Sequence, residues 1–277
     1  SFAKSTRHFL NAGKRLLGLS YQSIKGGLIG VEYDRRTVMV VMSHVGIEPP
    51  VLKKGLIAKD TEHGVKAIKK KHGSRLIILA GIDVCQKLSG VTLKLLAFER
   101  LLMEYPKHKD EALLVQRCLR PSSRVEDEEH TSEEIKQLVA RIQGQFGEGV
   151  LDYTEICGTA LPMQERLSLF KCTHVLVLTA VREGLNLIPL EYIYARSEPE
   201  AAGVVLASEF SACSSLLNGA VRINPFDVAK TAAAMDQALT MNDNERRGTG
   251  GVREIYLTSH PGPQRCGHTR YCWICGL

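Results

Sequence analysis

Val175-Leu176-Val177-Leu178, and four residues later Arg182-Glu183-Gly184-Leu185-Asn186-Leu187-Ile188-Pro189-Leu190-Glu191, form the stretch that decides the fold. A short apolar run bounded by turn residues reads as a buried strand. Residues 182–191 read as a Gly-containing turn and a helix start, with Pro189 suited to the first helical turn. Such a junction aims free backbone N–H groups and the positive end of a helix dipole at one point, which suits an anion, above all a diphosphate. Glu183 and Glu191 bracket the turn as E-x7-E, two acceptors whose local customers are hydroxyl groups. A diphosphate flanked by hydroxyls describes a nucleotide-sugar. Strand–Gly–helix turns occur throughout α/β proteins, however, and a Glu in a first helical turn is ordinary dipole chemistry, so the pattern alone leaves a purely structural turn open.

Working outward, residues from Gly46 onward alternate regularly between helical and strand-like stretches. Helices are expected at about 56–72, 92–104, 132–146, 162–171, 189–196 and 227–240, and strands at 76–80, 112–116, 151–156, 175–179, 204–207 and 220–223. Strands spaced by helices of this length mean βαβ units and a parallel, Rossmann-like sheet. Ligands in such sheets bind beyond the carboxyl ends of the strands, where both the 81–90 loop and the 182–191 turn fall. The polar run 121–134 reads as an exposed loop leading into a helix. Ahead of this region lie an amphipathic helix at 2–18, with Phe2, Phe9, Leu10, Leu16 and Leu17 on its apolar positions, and a hairpin of 28–33 and 37–45 joined through Asp34-Arg35-Arg36.

The chain has 277 residues, 44% of them apolar, enough for a substantial core. Its eight cysteines are unpatterned through Cys213, and there is no secretory signal or apolar run of about 20 residues, so a cytoplasmic protein with reduced thiols and no membrane span is expected. The net charge of +6 is mild. Lys69-Lys70-Lys71-His72 ends a helix, where cations are favourable, and no interleaved aromatics support stacking on bases, so no nucleic-acid partner is expected. The start at Ser1 reads as that of a fragment.

The segment V-x-T-x-x-R-[DE]-G-[ML]-N-L-[IV]-P-x-E resembles the donor-binding motif of trehalose-6-phosphate synthases, retaining glycosyltransferases of the two-domain GT-B fold. Other ordered matches are Val45 through Pro49, Lys94 through Glu99, Arg141 through Gly147, Ser208-Glu209-Phe210, Asn224 through Asp227 and Ala238 through Met241, so the resemblance spans about residues 4–245. It implies that 1–45 is a remnant of the N-terminal GT-B domain, that 46–247 is the C-terminal nucleotide-sugar-binding domain, and that 248–277 is an unassigned tail. It further implies UDP-glucose and glucose 6-phosphate as partners, association with other trehalose-synthesis subunits, and no cofactor. Residue by residue, it gives Glu183 the contact to the glucose hydroxyls as the catalytic-site carboxylate. Gly184, Leu185, Asn186, Leu187 and Ile188 become the backbone-contact turn, Glu191 the ribose-binding carboxylate, and Arg124 of Pro121-Ser122-Ser123-Arg124 the arginine that approaches the acceptor phosphate. The family's catalytic His belongs to its N-terminal domain and has no counterpart here.

One part of the pattern is missing. The family carries G-x-D-R-x-D-x-x-K-G after the first strand of this domain, and its Arg and Lys stabilise the leaving diphosphate. Here the loop reads Gly81-Ile82-Asp83-Val84-Cys85-Gln86-Lys87-Leu88-Ser89-Gly90, so Val84 and Ser89 replace both cations. Removing one preorganised electrostatic contact commonly costs about 3 kcal/mol. The loss resembles plant-type members with weak or no synthase activity. A truncated synthase-like glycosyltransferase of trehalose biosynthesis is therefore expected, with a non-catalytic sugar-nucleotide or sugar-phosphate binding regulatory protein as the alternative. In the tail, Cys266, His268, Cys272 and Cys275 are soft ligands, but only three residues separate His268 from Cys272, too few for two separated ligand pairs, and no metal is expected.

Overall fold

The structure, a computed structural model, describes residues 2–24, 28–41, 46–73, 77–123, 125–196, 202–249 and 272–273. The chain divides into two units, residues 1–46 together with 259–277, and residues 47–258. In the first, α1 (Phe2–Leu17) precedes three strands, β1 (Tyr21–Ile24), β2 (Leu28–Tyr33) and β3 (Arg36–Val41), paired antiparallel in the order β1-β2-β3. The hairpin between β2 and β3 closes through Asp34 and Arg35, both at positive φ, the conformation that a two-residue hairpin turn demands. Of the apolar positions expected on α1, Leu10 is buried against Val31 and Val40, whereas Phe9, Leu16 and Leu17 are exposed.

The second unit opens with α2 (Pro49–Leu56) and α3 (Lys59–His72). α3 is the helix expected at about 56–72, and α2 is an additional one ahead of it, started by Pro49 and Pro50 and separated from α3 by Ala58 in an extended conformation. Next along the chain come β4 (Ile77–Val84), α4 (Val91–Glu104), β5 (Ala112–Arg120), α5 (Val125–Phe146), β6 (Leu151–Cys157), α6 (Met163–Cys172), β7 (Val175–Leu178), α7 (Ile188–Ala195), β8 (Val204–Ser208), α8 (Ala212–Leu216), β9 (Val221–Ile223), α9 (Val228–Thr240) and α10 (Asp243–Thr249). A two-residue strand, β10 (Cys272–Trp273), pairs with β3; the rest of the tail that bears on metal binding lies outside the described residues.

The six strands β4 to β9 form one sheet, all parallel, in the order β6-β5-β4-β7-β8-β9. Near-continuous burial along β5, β7 and β8 is what a sheet covered on both faces requires. One face packs Leu95, Phe98, Leu102 and Met235 of α4 and α9, the other Leu167, Phe170 and Tyr192 of α6 and α7. Strand order reverses between β4 and β7, and in open parallel sheets ligands bind beyond the carboxyl ends of the strands at such a switch point.

The 121–134 run, expected as an exposed loop leading into a helix at 132–146, is loop only at its start, because α5 already begins at Val125. Glu126, Asp127 and Glu128 fill its first turn, where acidic groups stabilise the helix dipole, and the Glu128 carboxylate reaches back to accept from the Ser122 and Ser123 amides at 3.1 and 3.2 Å. Arg124 itself lies outside the described residues.

Candidate functional site at the switch point

At the switch point, the loops that follow β4 and β7 are stitched to one another. After β4, Lys87–Ser89 forms a 3-10 turn that ends at Gly90 with φ +64°. A Cβ on Gly90 would stand 2.0 Å from the Thr179 carbonyl oxygen, so both the backbone conformation and the close approach require glycine. The Thr179 hydroxyl donates to the Gly90 carbonyl at 2.9 Å, and the Val181 amide to the Leu88 carbonyl at 2.9 Å. These contacts fix the height of the β4 loop against the β7 turn.

The β7 turn is held by its own side chains. Asn186 works in both directions: its Nδ2 donates to Glu183 Oε1 at 2.9 Å, and its Oδ1 accepts from the Ile188 amide at 2.9 Å. Ser211, the N-cap of α8, donates its hydroxyl to Glu183 Oε2 at 3.0 Å and accepts from the Cys213 amide. The Cys213 thiol donates to the Asn186 carbonyl at 3.0 Å. Pro189 sits in the first turn of α7, as its spacing implies. Ile188 thus spends its amide internally, while among the described residues no hydrogen bond engages the amides of Leu185, Asn186 and Leu187. Open space surrounds the position a Cβ would take at Gly184. Three amides without a hydrogen bond thus stand beside an open Gly just ahead of a helix, a type of junction that suits an anion.

Glu183 and Glu191 are restrained in different ways. Burial pushes the Glu183 carboxyl above the ordinary carboxylate range; hydrogen bonds from Ser211 and Asn186 oppose the shift, the charge of Asp83 adds to it, and Lys94 counters it. Glu191, on α7, receives a two-pronged ion pair from Arg166 of α6, Nε to Oε2 at 2.6 Å and NH2 to Oε1 at 3.2 Å. Beneath these loops, the fully buried Lys94 donates to Asp83 and to Gln116 Oε1, and Gln116 Nε2 donates to Asp83 at 2.9 Å. This closed network neutralises two charges that would otherwise be buried alone.

The positions that replace the family's cations are both occupied by uncharged side chains built into the scaffold. Val84 is the last residue of β4 and pairs with Leu119, and Ser89 is buried. Lys87, two residues before Ser89, lies 3.8 Å from Glu134 of α5. Of the residues singled out from the sequence, Glu183 and residues 184–188 lie in the β7 turn and at the start of α7, and Glu191 stands one turn further along α7. Sequence reading did not find Ser211, Arg166 or the Lys94–Asp83–Gln116 network. Ser211 carries a weak local signal, a serine ahead of a helix, whereas the Arg166–Glu191 pair spans 25 positions with no signature in spacing.

Comparison with known proteins places the chain. Residues 2–255 match glycosyltransferase family 20. The alpha,alpha-trehalose-phosphate synthase (UDP-forming) 6 of Arabidopsis thaliana is 35% identical over 269 residues, covering 92% of this chain and 31% of the relative. This chain therefore spans about a third of the length of the curated relatives it matches. Among solved structures, an alpha,alpha-trehalose-phosphate synthase (UDP-forming) from Burkholderia xenovorans in complex with glucose-6-phosphate shares the fold with a TM-score of 0.76, at 23% identity over 92% of this chain and 55% of that one. An E. coli chain bound with UDP-2-fluoro glucose superimposes with a TM-score of 0.69, at 22% identity over 86% of this chain and 52% of that one. On the extent of the sequence match and the shared parallel sheet, this chain belongs to glycosyltransferase family 20.

Proposed function

We propose that residues 47–258 are the donor-binding unit of a trehalose-phosphate synthase-type glycosyltransferase, with UDP-glucose as donor and glucose 6-phosphate as acceptor in the whole protein. The observation that carries this reading is the trio of unengaged amides at Leu185, Asn186 and Leu187, set between two restrained carboxylates at the β4/β7 switch point. In this reading the amides take the diphosphate, with Gly184 leaving room for it and Ile188 starting the helix whose dipole faces it. Glu183 accepts from glucose hydroxyls, Glu191 from the ribose, and Arg124 meets the acceptor phosphate. The names of the relatives favour this over a binding protein outside the enzyme family.

The chemistry is set by which charges move. The bond from the glucose anomeric carbon to the diphosphate oxygen breaks, and a bond to the acceptor hydroxyl forms on the same face. The acceptor proton passes to the departing diphosphate oxygen. Negative charge therefore grows on the diphosphate, and whatever lowers the barrier must stabilise it there. Amides and a helix N-terminus do part of this, and the Arg and Lys of related loops are replaced here by Val84 and Ser89.

Calorimetric titration of the 277-residue chain with UDP tests the reading. Leu187 has φ −84°, near the proline value, so Leu187→Pro removes one amide with little distortion and is expected to weaken UDP binding about tenfold. No UDP binding by the unmodified chain at millimolar nucleotide would overturn the proposal.

A further inference from the structure

Arg182 stands directly ahead of Glu183 in the β7 turn, and it is exposed. The main chain on either side of it is pinned. The Val181 amide donates to the Leu88 carbonyl at 2.9 Å, and Glu183 is gripped by Asn186 at 2.9 Å and by Ser211 at 3.0 Å. The guanidinium of Arg182 itself has no hydrogen bond or ion pair among the described residues. Glu183, the carboxylate next to it in sequence, is committed to Asn186 and Ser211.

In the loops that follow β4 to β9, the described residues hold two cations, Lys87 and Arg182. Lys87 faces Glu134 of α5 at 3.8 Å. Arg120, at the end of β5, is held by Glu155 at 3.3 Å, and Lys94 is buried against Asp83 and Gln116. Val84 and Ser89 carry no charge. Arg182 is thus the cation of these loops that no acid answers, and it stands three residues before Leu185, the first of the three amides without a hydrogen bond. Amides are neutral dipoles, and alone they leave the net charge of a diphosphate uncompensated. A guanidinium is always charged, and its planar fork matches two phosphate oxygens at once.

Resting on the donor-site reading above, we propose that Arg182 is the phosphate-binding cation of this site, supplying from the β7 turn the positive charge that the β4 loop lacks. The pinned main chain fixes where its stem begins, and the free guanidinium closes on the diphosphate held by the amides of Leu185, Asn186 and Leu187. With no partner to leave, the side chain gives up no interaction of the fold when it does so.

The test is calorimetric titration of the full chain with UDP at low and at high ionic strength. Arg182→Gln, which keeps a polar side chain without the charge, is expected to weaken UDP binding about tenfold at low salt. The gap to the unmodified chain is expected to narrow in high salt. Arg182→Lys keeps the charge and loses the fork, and its affinity is expected to fall between the two. Both variants are expected to keep the urea midpoint of the unmodified chain, because no other residue leans on the guanidinium. Lys87→Gln removes the same charge from the neighbouring loop and is expected to change UDP affinity by less than about threefold. A loss there as large as in Arg182→Gln means that only the general field of the site is at work and overturns the inference. So does an Arg182→Gln affinity within about twofold of the unmodified chain. Titration with glucose 6-phosphate separates the other phosphate: a loss confined to that ligand in Arg182→Gln gives the arginine to the acceptor and overturns its assignment to the diphosphate. An unmodified chain that binds no UDP removes the donor-site reading itself, and this inference with it.

Discussion

The two loops that meet at the switch point were built on different principles, and they have fared differently. In the proposed site the β7 turn offers an anion its main chain, and the side chains around it, Asn186, Ser211 and Cys213, hold that main chain in place. The β4 loop of the resembled family offers side-chain cations, and here both positions have become uncharged and structural, Val84 in the strand and Ser89 in the interior. A site made of backbone survives as long as the fold does. A site made of side chains is lost with two substitutions that the fold tolerates.

The largest effect that this contrast predicts is on turnover. With two electrostatic contacts missing, each commonly worth a factor of 10² to 10³, synthesis of trehalose 6-phosphate by this chain is expected to lie at least about ten thousandfold below that of a relative with both cations. A coupled assay for UDP release measures it. Turnover within a hundredfold of such a relative, abolished by Glu183→Ala, would mean that the β4 loop matters far less than the β7 turn.

Next in size is the dependence of both loops on Gly90. Its positive φ and the 2.0 Å approach to the Thr179 oxygen leave no room for a methyl group, so Gly90→Ala is expected to cost roughly 3 kcal/mol in urea unfolding. A cost below about 1 kcal/mol would show that the loops can part without penalty and that their mutual register is not fixed.

How much of this was legible in advance differs along the same lines. The βαβ alternation and the strand–turn–helix at 175–191 were readable because hydrophobic period and turn residues act locally. The true start of α5 at Val125 was missed because its acidic first turn looks like a polar loop until Glu128 is seen holding the Ser122 and Ser123 amides. That β4 runs to Val84 depends on pairing with Leu119, which nothing local announces. Glu183 and Glu191 could be named from spacing, but not Ser211 and Arg166, the residues that orient them. Those partners come from elements packed alongside, and only the folded chain brings them near.

Restoring charge to the β4 loop is expected to have a moderate effect. Val84→Arg with Ser89→Lys should tighten UDP binding at least about tenfold, or roughly 1.4 kcal/mol, at low ionic strength. The gain should shrink in high salt because it is electrostatic. Because Ser89 is buried, the lysine must run its stem along the loop to bring its ammonium toward the phosphates, so Val84→Arg alone is expected to supply most of the gain. No change in either variant, measured by calorimetry, would mean that residues 84–89 do not face the phosphates.

The smallest effect concerns the cost of keeping Glu183 charged. Burial raises its carboxyl above the ordinary range despite the hydrogen bonds from Ser211 and Asn186. An acid whose folded-state pKa exceeds its unfolded value binds its proton more tightly in the folded chain. Its ionisation therefore lowers stability above the folded value, and that penalty vanishes as the pH falls below the unfolded value. Glu183→Gln keeps the shape of the side chain and one acceptor for Asn186, so it is expected to raise the urea midpoint at pH 7 to 8, with the gain fading as the pH drops through the carboxylate range. The same substitution should weaken binding of a UDP-sugar more than binding of UDP, since in the proposed site Glu183 meets the sugar. A stability gain that persists unchanged at pH 3 would show that charge at Glu183 is not what the fold opposes. A loss of stability at pH 7 would show that the ionised carboxylate, gripped by Asn186 and Ser211, is a net support of the β7 turn rather than a strain kept there for its ligand.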